Sequence, residues 1–206
     1  MLCFQKKKQK KEIERLSNYI PNKHVALIVP HSRKKSGAYS VQLNASEYFY
    51  INTFYRDFLI EALVKEGLGV SIHYRNEIGI AGAYKEALTN NPFIIMEWHF
   101  NAYDGYVNGH EILFHNNTEG EKWAAKRLLD VLGDILGNKK RGVKNISKGA
   151  RGFYNVTQTS KIPSLLIEPF FGDNPSDAKN FDDKKEILAK AIAKELAELA
   201  PLIGDI

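Results

Sequence analysis

The stretch LGVSIHYRNEIGIAGAYKEALTNNPFIIMEWH, Leu68 to His99, decides the fold class. Its opening, LGVSIHYR, mixes β-branched and aromatic residues over a strand's length, and GIAGAYKEALTNN has the pattern of a short helix closed by Asn90, Asn91 and Pro92. FIIMEWH is again a strand, an apolar run ending at His99. Upstream, HVALIVP, His24 to Pro30, reads as a buried strand with His31 just past its end. A helical pattern follows from the N-cap candidate Ser46 through Glu66, with Tyr50, Phe54, Phe58, Ala62 and Leu63 near helical spacing, and Gly67 ends it. Strand, helix, strand, helix, strand predicts parallel strands joined by right-handed crossovers, with ligands near the carboxyl ends of the strands.

Downstream, HEILFH reads as a strand, and residues 119–136 as an amphipathic helix on Trp123, Ala124, Leu128, Leu129, Leu132 and Ile135. A further sheet element is expected in GFYNVTQ. PSLLIEPFF repeats the earlier design, an apolar strand ending in one charged residue, Glu168. A last helix of about Asp183 to Leu199 packs across the sheet with an Ile187, Leu188, Ile192, Leu196 stripe. The expected architecture is a single α/β domain over residues 24–206, a mostly parallel twisted sheet with helices on both faces. A basic N-terminal segment or helix, residues 1–23, precedes it.

Composition narrows the chemistry. With 206 residues, 44% of them hydrophobic, the chain can bury a substantial core. Cys3 is the only cysteine, which excludes an internal disulfide, a Cys-rich zinc site and a Cys-pair redox centre, so a metal would be held by histidine and carboxylate. No apolar run approaches the roughly 18 residues of a membrane span. The N-terminus lacks the apolar segment of a signal peptide, so synthesis in the cytoplasm without Sec-type export is expected. The net charge of +5 concentrates at Lys6 to Lys11 and Lys139 to Arg151. Such clusters suit a polyanion, nucleic acid or an anionic wall polymer, although charge runs alone identify no partner and are equally read as solvated surface.

Three strands thus end in His31, His99 and Glu168, and such ends converge on one crevice. Glu47, opening the helix after the first strand, can return to it, which gives a two-histidine, one-carboxylate set suited to zinc with a fourth position open. The motifs VPHS, SEYF, WHFNA, GHEILF, RGVK and IPSLLIEPFFGDN follow one another in the chain. In that order and spacing they resemble the zinc-dependent N-acetylmuramoyl-L-alanine amidases called Amidase_3, from about residue 24 to the last helix. The resemblance implies one zinc ion held by His31, Glu47 and His99, with Glu168 as general base and acid. The implied substrate is peptidoglycan, cut at the amide between N-acetylmuramic acid and L-alanine.

Two departures stand out: His31 is followed by Ser32, Arg33 and Lys34 where the family has glycines, and Glu97 and Trp98 precede His99 where it has small residues. Glu97 lies on the same side of its strand as His99 and is expected to orient it. Arg151 is a candidate for stabilising the oxyanion and Asn101 for supporting the site or meeting substrate. Phe153 to Thr159, with Tyr103 and Tyr106, are expected to line the groove. His73 reads as a satisfied core or rim histidine, and His24, His110 and His115 are weaker still as ligands. Glu111 reads as structural, and Tyr48, Tyr50 and Tyr55 as packing. Two other functions fit parts of the pattern: a zinc peptidase or amidohydrolase acting on a small peptide or acyl-amino acid, and a non-catalytic basic module holding wall polymer or nucleic acid. The first is disfavoured because His31 and Glu47 are a whole loop apart, and the second has no use for Glu168. Without an export signal or separate wall-binding domain, the closest setting is a phage lysin released to the wall.

Overall fold

A computed structural model describes residues 23–115 and 119–203. The basic N-terminal segment expected over residues 1–23 lies outside the described residues, Lys23 excepted. The chain runs through β1 (His24–Val29), the short strands β2 (Tyr39–Ser40) and β3 (Ala45–Ser46), and α1 (Glu47–Phe54). A π-helical turn (Tyr55–Leu59) joins α1 to α2 (Ile60–Lys65), followed by β4 (Gly69–Tyr74), α3 (Gly79–Leu88), β5 (Ile94–Trp98) and β6 (His110–Phe114). Then come α4 (Glu119–Leu136), β7 (Lys140–Asn145), α5 (Phe153–Val156), β8 (Ser164–Glu168) and α6 (Pro175–Ile203). No described helix is long and apolar enough to cross a membrane.

The main sheet has the order β4-β1-β5-β8-β6-β7. β4, β1, β5 and β8 are parallel, whereas β6 runs antiparallel to β8 and carries β7 parallel to itself. The chain leaves β1 for β4 on one side and returns to β5 on the other, so the strand order reverses at β1 and β5 and opens a crevice at their carboxyl ends. The reversal of β6 has a local consequence: its first residues lie beside the last residues of β8, with Glu111 paired to Glu168.

Alternation along each strand sorts side chains onto two unequal faces. Val25, Leu27, Val29, Ile94, Met96, Trp98, Leu165, Ile167, Ile112 and Phe114 enter the large core under α1, α2, α4 and α6. The opposite face carries two small clusters, Ala26, Ile28 and Ile95 under α3, and Leu113 and Leu166 under α5. Glu97, Glu111 and Glu168 alternate onto this thinly covered face, where the crevice opens.

GFYNVTQ is not a sheet element. Gly152 sits at a φ of 80°, a left-handed turn that glycine adopts readily, and Phe153–Val156 form a short helix after it. Val156 and Phe153 then pack on Leu113, Ile146 and Leu166. The sheet edge is taken instead by β7, polar Lys140–Asn145, part of the tract read as solvated surface. The last helix begins at Pro175, eight residues before the expected start, because proline fits the first helical turn. Ser46 does precede α1 in an extended conformation, but its hydroxyl makes no capping bond.

Tyr55, fully buried in the π-helical turn, ties α1 to the place where β1 and β5 part. Pairing of the two strands ends at Ile28 and Glu97. Beyond that point the Tyr55 hydroxyl donates to the Ile28 carbonyl (3.1 Å) and accepts from the Trp98 N–H (2.8 Å). Two backbone groups that would otherwise be buried unpaired are satisfied where the crevice begins.

Candidate active site

A cavity of about 300 Å³ at the carboxyl ends of β1, β5 and β8 is lined by His31, Glu47, His99, Arg151, Asn155 and Glu168, among others. Each arrives from its own element. His31 follows β1 at a φ of 60°, unusual for a residue with a Cβ. Glu47 is the first residue of α1, with its backbone N–H on the Ala38 carbonyl (2.9 Å). His99 follows β5, where its N–H continues the sheet by donating to Ile167 (2.8 Å).

His31, Glu47 and His99 bring one donor atom each to within 4.8 Å of one another, the one such His, Cys, Asp or Glu group among the described residues. Glu47 stands between the two imidazoles, with Oε2 2.9 Å from His31 Nε2 and Oε1 2.6 Å from His99 Nδ1. Burial alone would raise the Glu47 pKa, but the imidazoles outweigh it and hold the carboxyl down at about 2. Burial likewise disfavours charge on His99, and the flanking carboxylates of Glu47 and Glu97 reverse that and raise it to about 10. The cluster thus favours positive charge between its carboxylate and its imidazoles, as expected of a cation-binding ligand set.

Glu97 is fully buried and meets four donors. Oε1 accepts from Arg75 Nη1 (2.6 Å) and His99 Nε2 (3.0 Å), and Oε2 from Asn155 Nδ2 (2.8 Å) and Tyr84 OH (3.2 Å). Its contact with His99 Nε2 leaves Nδ1 directed at Glu47. Asn155 lies in the stretch expected to line the groove, whereas Arg75 and Tyr84 carry no motif that marks them. The one signal for Arg75 is its place, a charged residue just past β4 beside the strand that carries His31.

Glu168 differs from its neighbours. It is 2% exposed, Oε1 meets Arg151 Nη1 at 3.1 Å, and Oε2 has no hydrogen-bond partner among the described residues. Burial raises its pKa from the usual 4.5 to about 7, against the opposing charges of His99 and Arg151. Arg151 also reaches Glu111 (3.4 Å), so its guanidinium spans two carboxylates. Asn101 donates to Glu111 (3.3 Å) rather than facing the cavity.

The loop covering this cluster depends on Gly37, at a φ of 81°. A Cβ there would stand 2.5 Å from His31 Cδ2 and 2.6 Å from Glu47 Oε2. Tyr103 and Tyr106 point outward, 79% and 86% exposed, on a loop whose Tyr103 and Gly105 N–H groups donate to Asp173. His73 and His24 share the Ser71 hydroxyl (2.8 and 2.9 Å) away from the cavity. His110 bonds Asn138 and His115 the Ile146 carbonyl, so neither joins the cluster. Tyr48 and Tyr55 are packing residues, and Tyr50 bonds Asp182.

Comparison with known proteins bears on the fold and the family. An uncharacterised protein of Clostridium perfringens is 30% identical over 118 residues, 55% of this chain and 34% of that protein, so the chain spans about a third of its length. The catalytic domain of CwlV, an N-acetylmuramoyl-L-alanine amidase of Bacillus (Paenibacillus) polymyxa var. colistinus, superposes with a TM-score of 0.71 at 20% identity, covering 85% of this chain and 97% of that one. The catalytic domain of the CD27L endolysin targeting Clostridia difficile gives 0.68 at 24%, with the same coverage. These likenesses show the shared α/β fold. The family model described as N-acetylmuramoyl-L-alanine amidase, Amidase_3, matches residues 25–198, and the chain belongs to that family.

Proposed function

We propose that the chain hydrolyses the amide between N-acetylmuramic acid and the L-alanine of the peptidoglycan stem, with zinc held by His31, Glu47 and His99. One observation carries the reading: a histidine, carboxylate, histidine cluster and a buried, half-partnered Glu168 line the same cavity. The donors fit the metal, since two imidazoles and one carboxylate with no thiolate form an open catalytic zinc set rather than a closed structural one. When bound, zinc supplies Lewis acidity to the carbonyl and lowers the pKa of water toward neutrality.

The chain's own groups do the rest. Burial raises the Glu168 carboxyl toward 7 in the metal-free protein, which suits a group that takes and gives a proton near neutral pH. It takes a proton from the attacking water at Oε2 and returns it to the departing alanine amine, which leaves poorly as an anion. Arg151 sits on Glu168 and Glu111, so its part is to hold the base and balance its charge rather than to reach the oxyanion. Glu97, anchored by Arg75, Tyr84 and Asn155, keeps the His99 ring fixed.

The test is mass spectrometry of soluble products from peptidoglycan treated with zinc-loaded or chelator-stripped protein. Zinc-dependent release of stem peptides with a free L-alanine amine is expected. Cleavage of a glycosidic bond, or of a peptide bond within the stem, would overturn the assignment.

A further inference from the structure

The basic tract after α4 does not simply face water. Arg141 Nε (2.9 Å) and the Lys144 ammonium both reach Glu111 Oε2, while Arg151 Nη2 (3.4 Å) and Asn101 reach Oε1. Glu111 is buried and its two oxygens take four donors, so it acts as a hub that gathers cations. Burial raises its pKa, and the Lys144 and Arg141 contacts outweigh that and hold it ionised. Among the described residues, these three cations meet no carboxylate but Glu111 and Glu168. Three positive charges against one or two negative ones leave a surplus, and it is presented outward: the Arg151 and Lys144 side chains are 60% and 42% exposed.

Position identifies what the surplus faces. Glu111 and Glu168 are cross-strand partners on one face of the sheet, bridged by Arg151. In the proposed reaction Glu168 protonates the leaving amine, so the peptide side of the scissile bond lies against Glu168 and the glycan side away from it. Arg151 lines the cavity on that peptide side, and Arg141 and Lys144 are joined to it through Glu111. Guanidinium and ammonium groups already desolvated on one side by a buried hub bind a carboxylate through charge-assisted hydrogen bonds, and arginine does so with two parallel donors.

We propose that Arg141, Lys144 and Arg151, gathered by Glu111, form a subsite for a carboxylate of the peptide stem, making an acidic residue beside the alanine a specificity determinant. The proposal rests on the amidase reading for the direction of the substrate but is tested without turnover. Calorimetry would compare a dipeptide of L-alanine and γ-linked glutamate, its α-carboxyl free or amidated, on zinc-loaded Glu168→Gln protein and on the same protein with Lys144→Gln. The free acid should bind about tenfold more tightly than the amide, which corresponds to about 1.4 kcal/mol. Lys144→Gln, at a half-exposed position, should bring the ratio close to one, and added salt should weaken the acid alone. Equal binding of acid and amide, no binding of either, or an unchanged ratio in Lys144→Gln would overturn the subsite. A glycerol-phosphate polymer displacing neither dipeptide supports it, whereas a polymer that binds here in preference to both would assign these cations to a wall polyanion instead. Failure of the product assay above, with acid-selective binding intact, would strike the amidase reading alone.

Discussion

Glu168→Gln should make the apo protein more stable above neutral pH while abolishing turnover. The variant keeps the shape of the side chain and removes its ionisation. In the folded protein burial raises the Glu168 pKa from 4.5 to about 7. Below about 4.5 the group is neutral in both states and the two proteins respond alike to pH. Between 4.5 and 7 the unfolded chain ionises first, the folded state binds the extra proton, and wild-type stability falls as pH rises. Above 7 the loss is complete. A rise from 4.5 to about 7 corresponds to about 3 kcal/mol, with no large discount for solvent because the side chain is 2% exposed. For a chain of this size that is roughly 6–12 °C in Tm. Thermal or urea unfolding of chelator-treated wild type and variant at pH 4, 5.5, 7 and 8.5 measures it. Any constant offset reports packing of the amide, and only the pH-dependent part tests the reasoning. A difference between the two proteins that stays flat to within about 0.5 kcal/mol would refute it, showing that Glu168 is solvated or paired in the folded state.

Glu97→Gln retains the volume but weakens the acceptor of the His99 Nε2–H, so zinc affinity measured with a competing chelator should fall about 10- to 100-fold. A Kd within twofold of wild type would remove Glu97 from the support of His99. Gly37→Ala places a methyl against His31 and Glu47 at a positive φ, and should weaken zinc binding and lower Tm together. Unchanged values for both would mean that the covering loop moves freely. Tyr55→Phe leaves the Trp98 N–H and the Ile28 carbonyl without the hydroxyl between them, which should cost about 1–3 kcal/mol in urea unfolding. It should also speed hydrogen exchange at Trp98, and a change confined to stability would place the tyrosine outside the architecture of the crevice.

The β1, β5 and β8 strands were legible in the sequence because each is a short apolar run whose end is marked by a polar or charged residue, and β4 because it mixes β-branched and aromatic residues over a strand's length. For the same reason His31, His99 and Glu168 could be placed at strand ends without a structure. What could not be read was the sense of β6, since HEILFH has the same pattern whichever way it enters the sheet. Its reversal is what sets Glu111 beside Glu168. The β7 strand was hidden by its composition: Lys140–Asn145 is an edge whose side chains serve mainly Glu111 and solvent, with Val143 alone packing on the core. GFYNVTQ misled in the opposite direction. Its aromatic and β-branched residues suit a strand, but a glycine in the left-handed region turns the chain just before them and tertiary packing on Leu113 and Leu166 makes them a helix.

Four buried carboxylates stand on or beside one face of this sheet, and the number of donors each meets decides what it can do. Glu47 is held by two imidazoles, Glu97 by four donors including Arg75, and Glu111 by two arginines, a lysine and an amide. All three lie below the ordinary carboxylate range in spite of burial. Their partners favour the charged form, which suits them to bind cations and to position other groups. Glu168 has one arginine on one oxygen and, among the described residues, no hydrogen-bond partner on the other, and burial prevails. Among these groups it alone can exchange a proton near pH 7 without first breaking a network. Environment rather than residue type thus separates the three acids held charged from the one whose pKa burial raises. Adding a donor to Glu168 Oε2 by a neighbouring substitution should lower its pKa and, in the proposed reaction, should cost turnover as removal of the carboxyl does.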